Sequence, residues 1–262
     1  MLLRNTAWSV LSVATTPVLA FLFGGLTLRY LGLEQAGFAL TVGAGFSIVG
    51  RFATLGTATA ALPVLSAAIS DDDEFTTRRL IGVLLWVFGG SAAVSASLIL
   101  CFAAISTPWT WCPLPPRDAV FYVGVCGLNH VLGQIGLVPA TVLRAANRYD
   151  LVTLATTPLA FLTGLTACII LPLYPSLLTA AKVSAAAAGI GLVVSASLAF
   201  RVVPSFRRPL SGFSELPGLI RRGSWLTMSN AFASLTTGVD ELVIAGWCGP
   251  AALPPWAIAK RL

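Results

Sequence analysis

Charged side chains are scarce in this chain. Asp, Glu, Lys and Arg make up 10% of the 262 residues, whereas a soluble globular domain carries about 25%. Hydrophobic residues account for 56%, and the mean hydropathy is +0.87. This shortage of charge excludes an ordinary water-soluble fold and indicates a membrane protein.

Histidine and cysteine are scarce as well. His130 is the only histidine, and none of the five cysteines forms a CxxC pair. We therefore predict no zinc site, no disulfide framework, no cofactor and no catalytic residue. The run Asp71-Asp72-Asp73-Glu74 has the Asp-x-Asp spacing with which glycosyltransferases hold a divalent metal. No nucleotide-sugar domain surrounds it, and acids also favour a helix N-terminus, so we interpret it as a solvated helix start.

Long apolar runs dominate the rest of the sequence. A helix needs about 20 mostly apolar residues to cross about 30 Å of hydrocarbon. Seven such runs lie at about 6–30, 37–69, 80–106, 119–143, 151–173, 176–203 and 223–247. They lack the short alternating segments of a transmembrane barrel. The sequence therefore predicts an all-α, multi-pass integral membrane bundle of about seven transmembrane helices.

The basic residues predict the orientation of these helices. With the N-terminus in the cytoplasm, ten lie on the inner side and four on the outer side, which satisfies the positive-inside rule. The inner ones are Arg4, Arg78, Arg79, Arg144, Arg148, Arg201, Arg207, Arg208, Arg221 and Arg222, and the outer ones are Arg29, Arg117, Lys260 and Arg261. Trp109, Trp111 and Trp247 suit an outer aromatic belt. We predict a cytoplasmic (inner) membrane location and no nucleic-acid partner.

The seventh apolar run resembles the first. Trp8 to Gly32 and Trp225 to Gly249 both span 24 residues, and one offset of 217 superposes the two pairs. Both runs begin on the same predicted side, so each unit contains six crossings. Such parallel repeats are typical of transporters.

The repeat divides the chain into three predicted parts. These are an N-terminal six-helix lobe at 1–203, a cytoplasmic basic linker at 204–222, and the first helix of a truncated second lobe at 223–262. The linker region mixes arginines with apolar residues and is predicted to lie on an anionic membrane surface. One lobe cannot enclose a cavity. Two chains could assemble, the remainder could be encoded elsewhere, or the chain could be a truncated product without activity.

Charges inside the apolar runs mark candidate functional positions, because each is costly in a membrane. Arg51 lies 14 residues beyond Gly37, about 21 Å into the second run. Its guanidinium suits a phosphate or pyrophosphate, which it can grip with two parallel hydrogen bonds. Asp240, or less readily Glu241, could pair with a cation from another helix or bind a coupling ion.

Three more side chains are candidate cavity residues. Lys182 could line the cavity, although its position near the start of the sixth run also suits snorkelling to the interface. Gln134 and Asn129 could hydrogen-bond a sugar or join neighbouring helices. His130, beside Asn129, is expected to be a hydrogen-bonded core residue.

Several short motifs match one known family in order and spacing. They are RYLGLEQAG at 29–37, LG at 55–56, LRAANR at 143–148, VDELVIAG at 239–246, GPAAL at 249–253 and WAIA at 256–259. At these residues the chain resembles the polysaccharide transporter family. This family comprises the oligosaccharide flippases of the multidrug/oligosaccharidyl-lipid/polysaccharide exporter superfamily. Trp256 departs from the pattern, since tyrosine is usual there, and nearly all of the second lobe is absent.

The resemblance implies two lobes around a central cavity that carries a polyprenyl-pyrophosphate-linked oligosaccharide between leaflets. It makes Arg51 a candidate cavity cation and Asp240 the acid common at that point of the second lobe. The expected partners are the lipid-linked oligosaccharide, membrane lipids and a second chain that supplies the missing lobe. The alternatives are a same-fold exporter of drugs or peptidoglycan precursors, and a membrane glycosyltransferase that uses polyprenyl phosphate.

Overall fold

The protein is described by a computed structural model that covers residues 2–53, 56–105, 112–210 and 215–260. Every regular element in these ranges is helical, which agrees with the predicted all-α class. The helices are α1 (Leu2–Ala53), α2 (Thr57–Ser70), α3 (Glu74–Ile105), α4 (Pro116–Ala145), α5 (Tyr149–Leu173), α6 (Leu177–Val202), α7 (Leu216–Cys248) and α8 (Leu253–Ala259). Short 3-10 turns, Pro204–Arg207 and Pro250–Ala252, follow α6 and α7.

Within the described ranges, three helices are long and apolar enough to cross a membrane. They are the Glu74–Cys101 part of α3, all of α4 and all of α6, with mean hydropathies of 2.0, 1.4 and 2.0. These helices coincide with the predicted runs at 80–106, 119–143 and 176–203. The other four spans remain a prediction.

Two glycines break the backbone in the same way. Gly32 interrupts α1 with φ 79° and ψ 172°, and Gly249 ends α7 with φ 82° and ψ 162°. This combination of angles is open essentially only to glycine. The offset of 217 superposes these same two residues. The two glycines that the predicted repeat superposes therefore share one backbone conformation.

The segment that contains Gly249 packs against α1. Helix α7 lies along α1, and the Pro250–Ala252 turn also contacts α1. A β-carbon placed on Gly37 would lie 1.7 Å from the carbonyl oxygen of Pro250. The contact is therefore backbone against backbone, and only glycine fits at position 37.

The predicted run at 37–69 is not one continuous helix. Gly56 adopts a left-handed conformation with φ 61° and separates α2 from α1. Residues 54–55 lie outside the described ranges. A left-handed residue ends the i to i−4 hydrogen-bond pattern, and glycine takes this conformation without a steric penalty.

Two apolar cores lie near opposite ends of α4, which contributes residues to both. The first core joins α2, α3 and α4 and includes Leu65, Leu84, Phe88, Val142 and Leu143. The second joins both parts of α1 to α4, α5 and α6 and includes Phe38, Phe46, Val123, Leu171 and Leu177. The middle of α4, between the two cores, carries the polar side chains His130 and Gln134.

The predicted basic linker packs on the bundle. Phe206 is only 6% exposed and belongs with Leu219 to the first core. The backbone N–H of Leu210 donates to the Arg78 carbonyl oxygen at 3.1 Å. Arg79 pairs with Glu215 at 3.5 Å. Phe206 and Leu219 are therefore buried in the protein, and a contact of the linker with a membrane surface does not include them.

The acidic run forms the tight turn between α2 and α3. Asp72 has a positive φ of 55°. The Asp73 carboxylate accepts a hydrogen bond from the Thr76 backbone N–H at 3.0 Å, while Glu74 pairs with Arg78 one turn along α3. These contacts support the interpretation of the run as a helix start, because a side-chain acceptor satisfies an N–H group that the first turn leaves unpaired.

Asp73→Ala is expected to lower thermal stability slightly, whereas Asp71→Ala should not. The hydrogen bonds from Thr76 hold the pKa of Asp73 below its usual value. The carboxylate therefore stabilises the protein above the pKa of an unfolded Asp, and this contribution is lost as pH falls through the folded-state pKa. Melting curves in detergent at neutral and acidic pH would test this. If the melting temperature of the Asp73→Ala protein fell with pH as steeply as that of wild type, this prediction would be contradicted.

Candidate functional site

The candidate site lies where the middle of α4 meets the end of α1. His130 and Gln134 are one helical turn apart on α4, so both face the same neighbour. A β-carbon on Gly50 would lie 2.5 Å from Cε1 of His130 and 2.9 Å from Nε2 of Gln134. The Phe46 and His130 ring centroids are 5.1 Å apart. Glycine at position 50 therefore lets two polar side chains approach the α1 backbone.

Two polar atoms in this contact are buried without a hydrogen-bond partner among the described residues. They are Nε2 of His130 and Oε1 of Gln134. Leaving a buried polar group unpaired costs about 1–3 kcal/mol. Proteins keep such groups mainly where a water, an ion or a ligand group pairs with them. This pair is the clearest polar-binding signal inside the described bundle.

Arg51 directly follows Gly50 in α1. The backbone therefore places Arg51 at the level of His130 and Gln134. Its side chain lies outside the described residues. Asn129 is half-buried beside His130. The contact thus involves one predicted site residue, Gln134, and adds His130, which we had expected to be a hydrogen-bonded core residue. Arg51 and Asn129 are the chain neighbours of Gly50 and His130.

Asp240 forms an ion pair that is separate from this polar contact. Its Oδ2 lies 2.8 Å from Nζ of Lys260, and the two side chains are 32% and 29% exposed. Asp240 precedes Gly249 by nine residues, about 13 Å along α7. Lys260 follows α8, which packs back against both α7 and α1. From the sequence we considered a cationic partner for Asp240 from another helix, but we assigned Lys260 only to the outer side of the membrane.

Lys182 does not join the contact at His130 and Gln134. It is exposed near the start of α6, and its Nζ lies 5.8 Å from the centre of the Phe121 ring. Phe121 precedes Gln134 by 13 residues on α4, which corresponds to about 20 Å. The structure therefore places Lys182 at one end of the bundle, as snorkelling requires, and away from the other candidates.

The remaining predictions concern metals and the aromatic belt. Among the described residues, no group of three or more His, Cys, Asp or Glu side chains could hold a metal ion. Trp109 and Trp111 lie outside the described ranges. Trp247 is 89% exposed at the end of α7, as a belt residue would be.

Comparisons with known proteins give no relative. No protein-family model, curated protein or solved structure matches the chain.

Gly50→Ala is expected to lower stability by about 1–3 kcal/mol, because the added methyl group overpacks the contact with His130. The double variant Gly50→Ala/His130→Ala should regain part of this loss, since the crowded ring is absent. Unfolding in a detergent series, analysed as a double-mutant cycle, would measure the coupling. Additive effects of the two changes would show that these residues do not touch.

Proposed function

We propose that this chain is a lobe of a membrane flippase. Its cargo would be a polyprenyl-pyrophosphate-linked oligosaccharide, moved across the cytoplasmic membrane for surface polysaccharide synthesis. The observation that carries the proposal is the repeated unit. The same backbone break occurs at Gly32 and Gly249, and the units that contain them pack face to face through α1 and α7. Transporters built from repeats place their substrate at the repeat interface.

The proposed topology has seven spans and a cytoplasmic N-terminus. Besides α3, α4 and α6, four further crossings would come from the two parts of α1, from α5 and from α7. Helix α2 would continue the crossing that the second part of α1 begins. Large apolar side chains are exposed on several of these helices, including Trp86, Leu98, Ile169 and Val193. Exposed apolar patches of this kind suit contact with lipid rather than water.

The polar contact of Gly50 with His130 and Gln134 would bind the cargo headgroup. Arg51 would grip the pyrophosphate, because a guanidinium matches two phosphate oxygens at once. His130 and Gln134, whose buried polar atoms lack partners among the described residues, would hydrogen-bond the sugar or the phosphate. The polyprenyl chain would remain in the lipid. This role requires binding and release and no bond chemistry, so the proposed protein is a transporter and not an enzyme.

A second lobe would complete the transport cavity. Alternating access needs two repeat units that move about a shared site, and the six helices of the first unit form only one of them. Further sequence or a second chain would supply the other. Asp240 and Lys260 belong to the second unit, where their ion pair could respond to the coupling ion or to the cargo.

A binding experiment tests the proposed cargo. The purified chain in lipid nanodiscs would be mixed with a polyprenyl-pyrophosphate-linked oligosaccharide, and bound ligand would be counted by native mass spectrometry. We expect saturable binding that exceeds binding of a cationic drug. Stronger binding of the drug would favour a multidrug exporter and overturn the proposal.

The Asp71→Asn/Asp73→Asn protein should bind like wild type, and loss of binding in that correctly inserted variant would restore the glycosyltransferase alternative.

A further inference from the structure

A groove runs between α4 and α6 at the end where both helices begin. The two helices are parallel, because Phe121 of α4 meets Lys182 of α6 while Leu132, further along α4, meets Gly189. The groove has a volume of about 790 Å³. Its apolar floor includes Phe121, Val125, Leu128 and Leu178. A concave apolar surface of this size can hold an alkyl chain.

Two cations stand at the mouth of this groove. Arg117 is part of the lining and is exposed. Lys182 is exposed too, with its Nζ 5.8 Å from the ring of Phe121 on the floor. Asp118 is the acid in the lining, so the mouth carries a net charge of +1 from two cations and one carboxylate. Cations above an apolar floor complement a lipid that has a negative headgroup and a hydrocarbon tail.

We propose that the groove binds an anionic phospholipid of the bilayer. Arg117 and Lys182 would contact its phosphate, and one acyl chain would lie along Phe121 and Leu128. Arginine suits this task because its planar fork pairs with two phosphate oxygens, while lysine adds a point charge.

This groove is distinct from the polar contact proposed to receive the cargo. Arg117 precedes Gln134 by 17 residues on α4, which corresponds to about 25 Å. The groove lining comes from α4 and α6, whereas the polar contact is built on α1 and α4. The phospholipid site therefore requires only that α4 and α6 lie in a membrane, and it does not depend on the flippase proposal.

The test uses the full chain in nanodiscs that contain equal amounts of phosphatidylglycerol and phosphatidylcholine. Native mass spectrometry of the released protein would count the lipids that stay bound. We expect phosphatidylglycerol to be enriched, and Arg117→Gln/Lys182→Gln to reduce the enrichment by about 25-fold, since each of the two cations near a membrane surface adds roughly a fivefold preference and the two factors multiply. The matched control is Arg29→Gln/Arg201→Gln, two exposed arginines outside the groove, which should keep the enrichment.

Two further measurements make the proposal falsifiable. Leu128→Trp would fill the floor at a position that is 54% exposed, and we expect it to lower total lipid retention without unfolding the protein. Equal binding of both lipids by wild type, unchanged enrichment in the Arg117→Gln/Lys182→Gln protein, or unchanged retention in Leu128→Trp would each overturn the site. Displacement of phosphatidylglycerol by an equal amount of polyprenyl phosphate would also overturn it and assign the groove to the carrier lipid.

Discussion

Arg51→Ala is expected to reduce export at least a hundredfold, and Arg51→Lys is expected to restore part of it. Under the proposed function, a guanidinium holds the pyrophosphate with two charge-assisted hydrogen bonds, each worth about 1.5–3 kcal/mol. Losing both corresponds to a factor of a hundred or more. Lysine keeps the charge but not the paired geometry. Complementation of a bacterium with a polysaccharide-export defect, in which the chain is co-expressed with a chain that supplies a second lobe, would measure the effect.

The control for this experiment is Arg201→Ala. Arg201 is an exposed arginine near the end of α6, so its loss removes the same charge without touching the polar contact. Membrane levels of each variant would be compared by immunoblot. Normal export by the Arg51→Ala protein at normal levels would refute the role of Arg51, whereas failure of wild type to export would count against the flippase proposal itself.

Gly37→Ala is expected to destabilise the protein by about 3 kcal/mol or more. Its new β-carbon would lie 1.7 Å from the carbonyl oxygen of Pro250. Because that neighbour is backbone, it cannot rotate away as a side chain can, so the cost lies at or above the upper end of the usual range for overpacking. Thermal unfolding in nanodiscs would measure the loss of stability. The added methyl group should push α1 away from the Pro250–Ala252 turn.

Gly43 provides a matched control on the same helix. A β-carbon on Gly43 meets nothing within 4 Å among the described residues. Since alanine is a better helix former than glycine by about 1 kcal/mol, Gly43→Ala should be neutral or slightly stabilising. Equal melting temperatures for the two variants would show that Gly37 and Pro250 are not in close contact.

Sequence reasoning succeeded where local chemistry decides the structure. The long apolar runs predicted α3, α4 and α6 because membrane thickness determines how many apolar residues a span needs. The spacing of Trp8–Gly32 and Trp225–Gly249 paired the two glycines, and both hold the same rare backbone angles. In each case the signal lies in the local sequence and does not depend on which segments come into contact.

Other features depend on contacts between distant segments and could not be predicted. The sequence contains several helical glycines in α1, and nothing local distinguishes Gly50 as the one that meets His130 and Gln134. The pairing of Asp240 with Lys260 requires α8 to fold back toward α7. Phe206 lies among arginines, which suggested a membrane surface, but its burial depends on where α3 is placed.

The contact between Gly37 and Pro250 has a consequence for biosynthesis. The two residues are 213 positions apart. A ribosome that adds about 5–20 residues per second needs roughly 10 to 40 s to make the sequence between them. During that interval the nascent chain exposes a helix surface whose final partner does not yet exist. Membrane insertases or early helix neighbours would have to shield this surface, so slowed translation before residue 250 should increase degradation of the half-made protein.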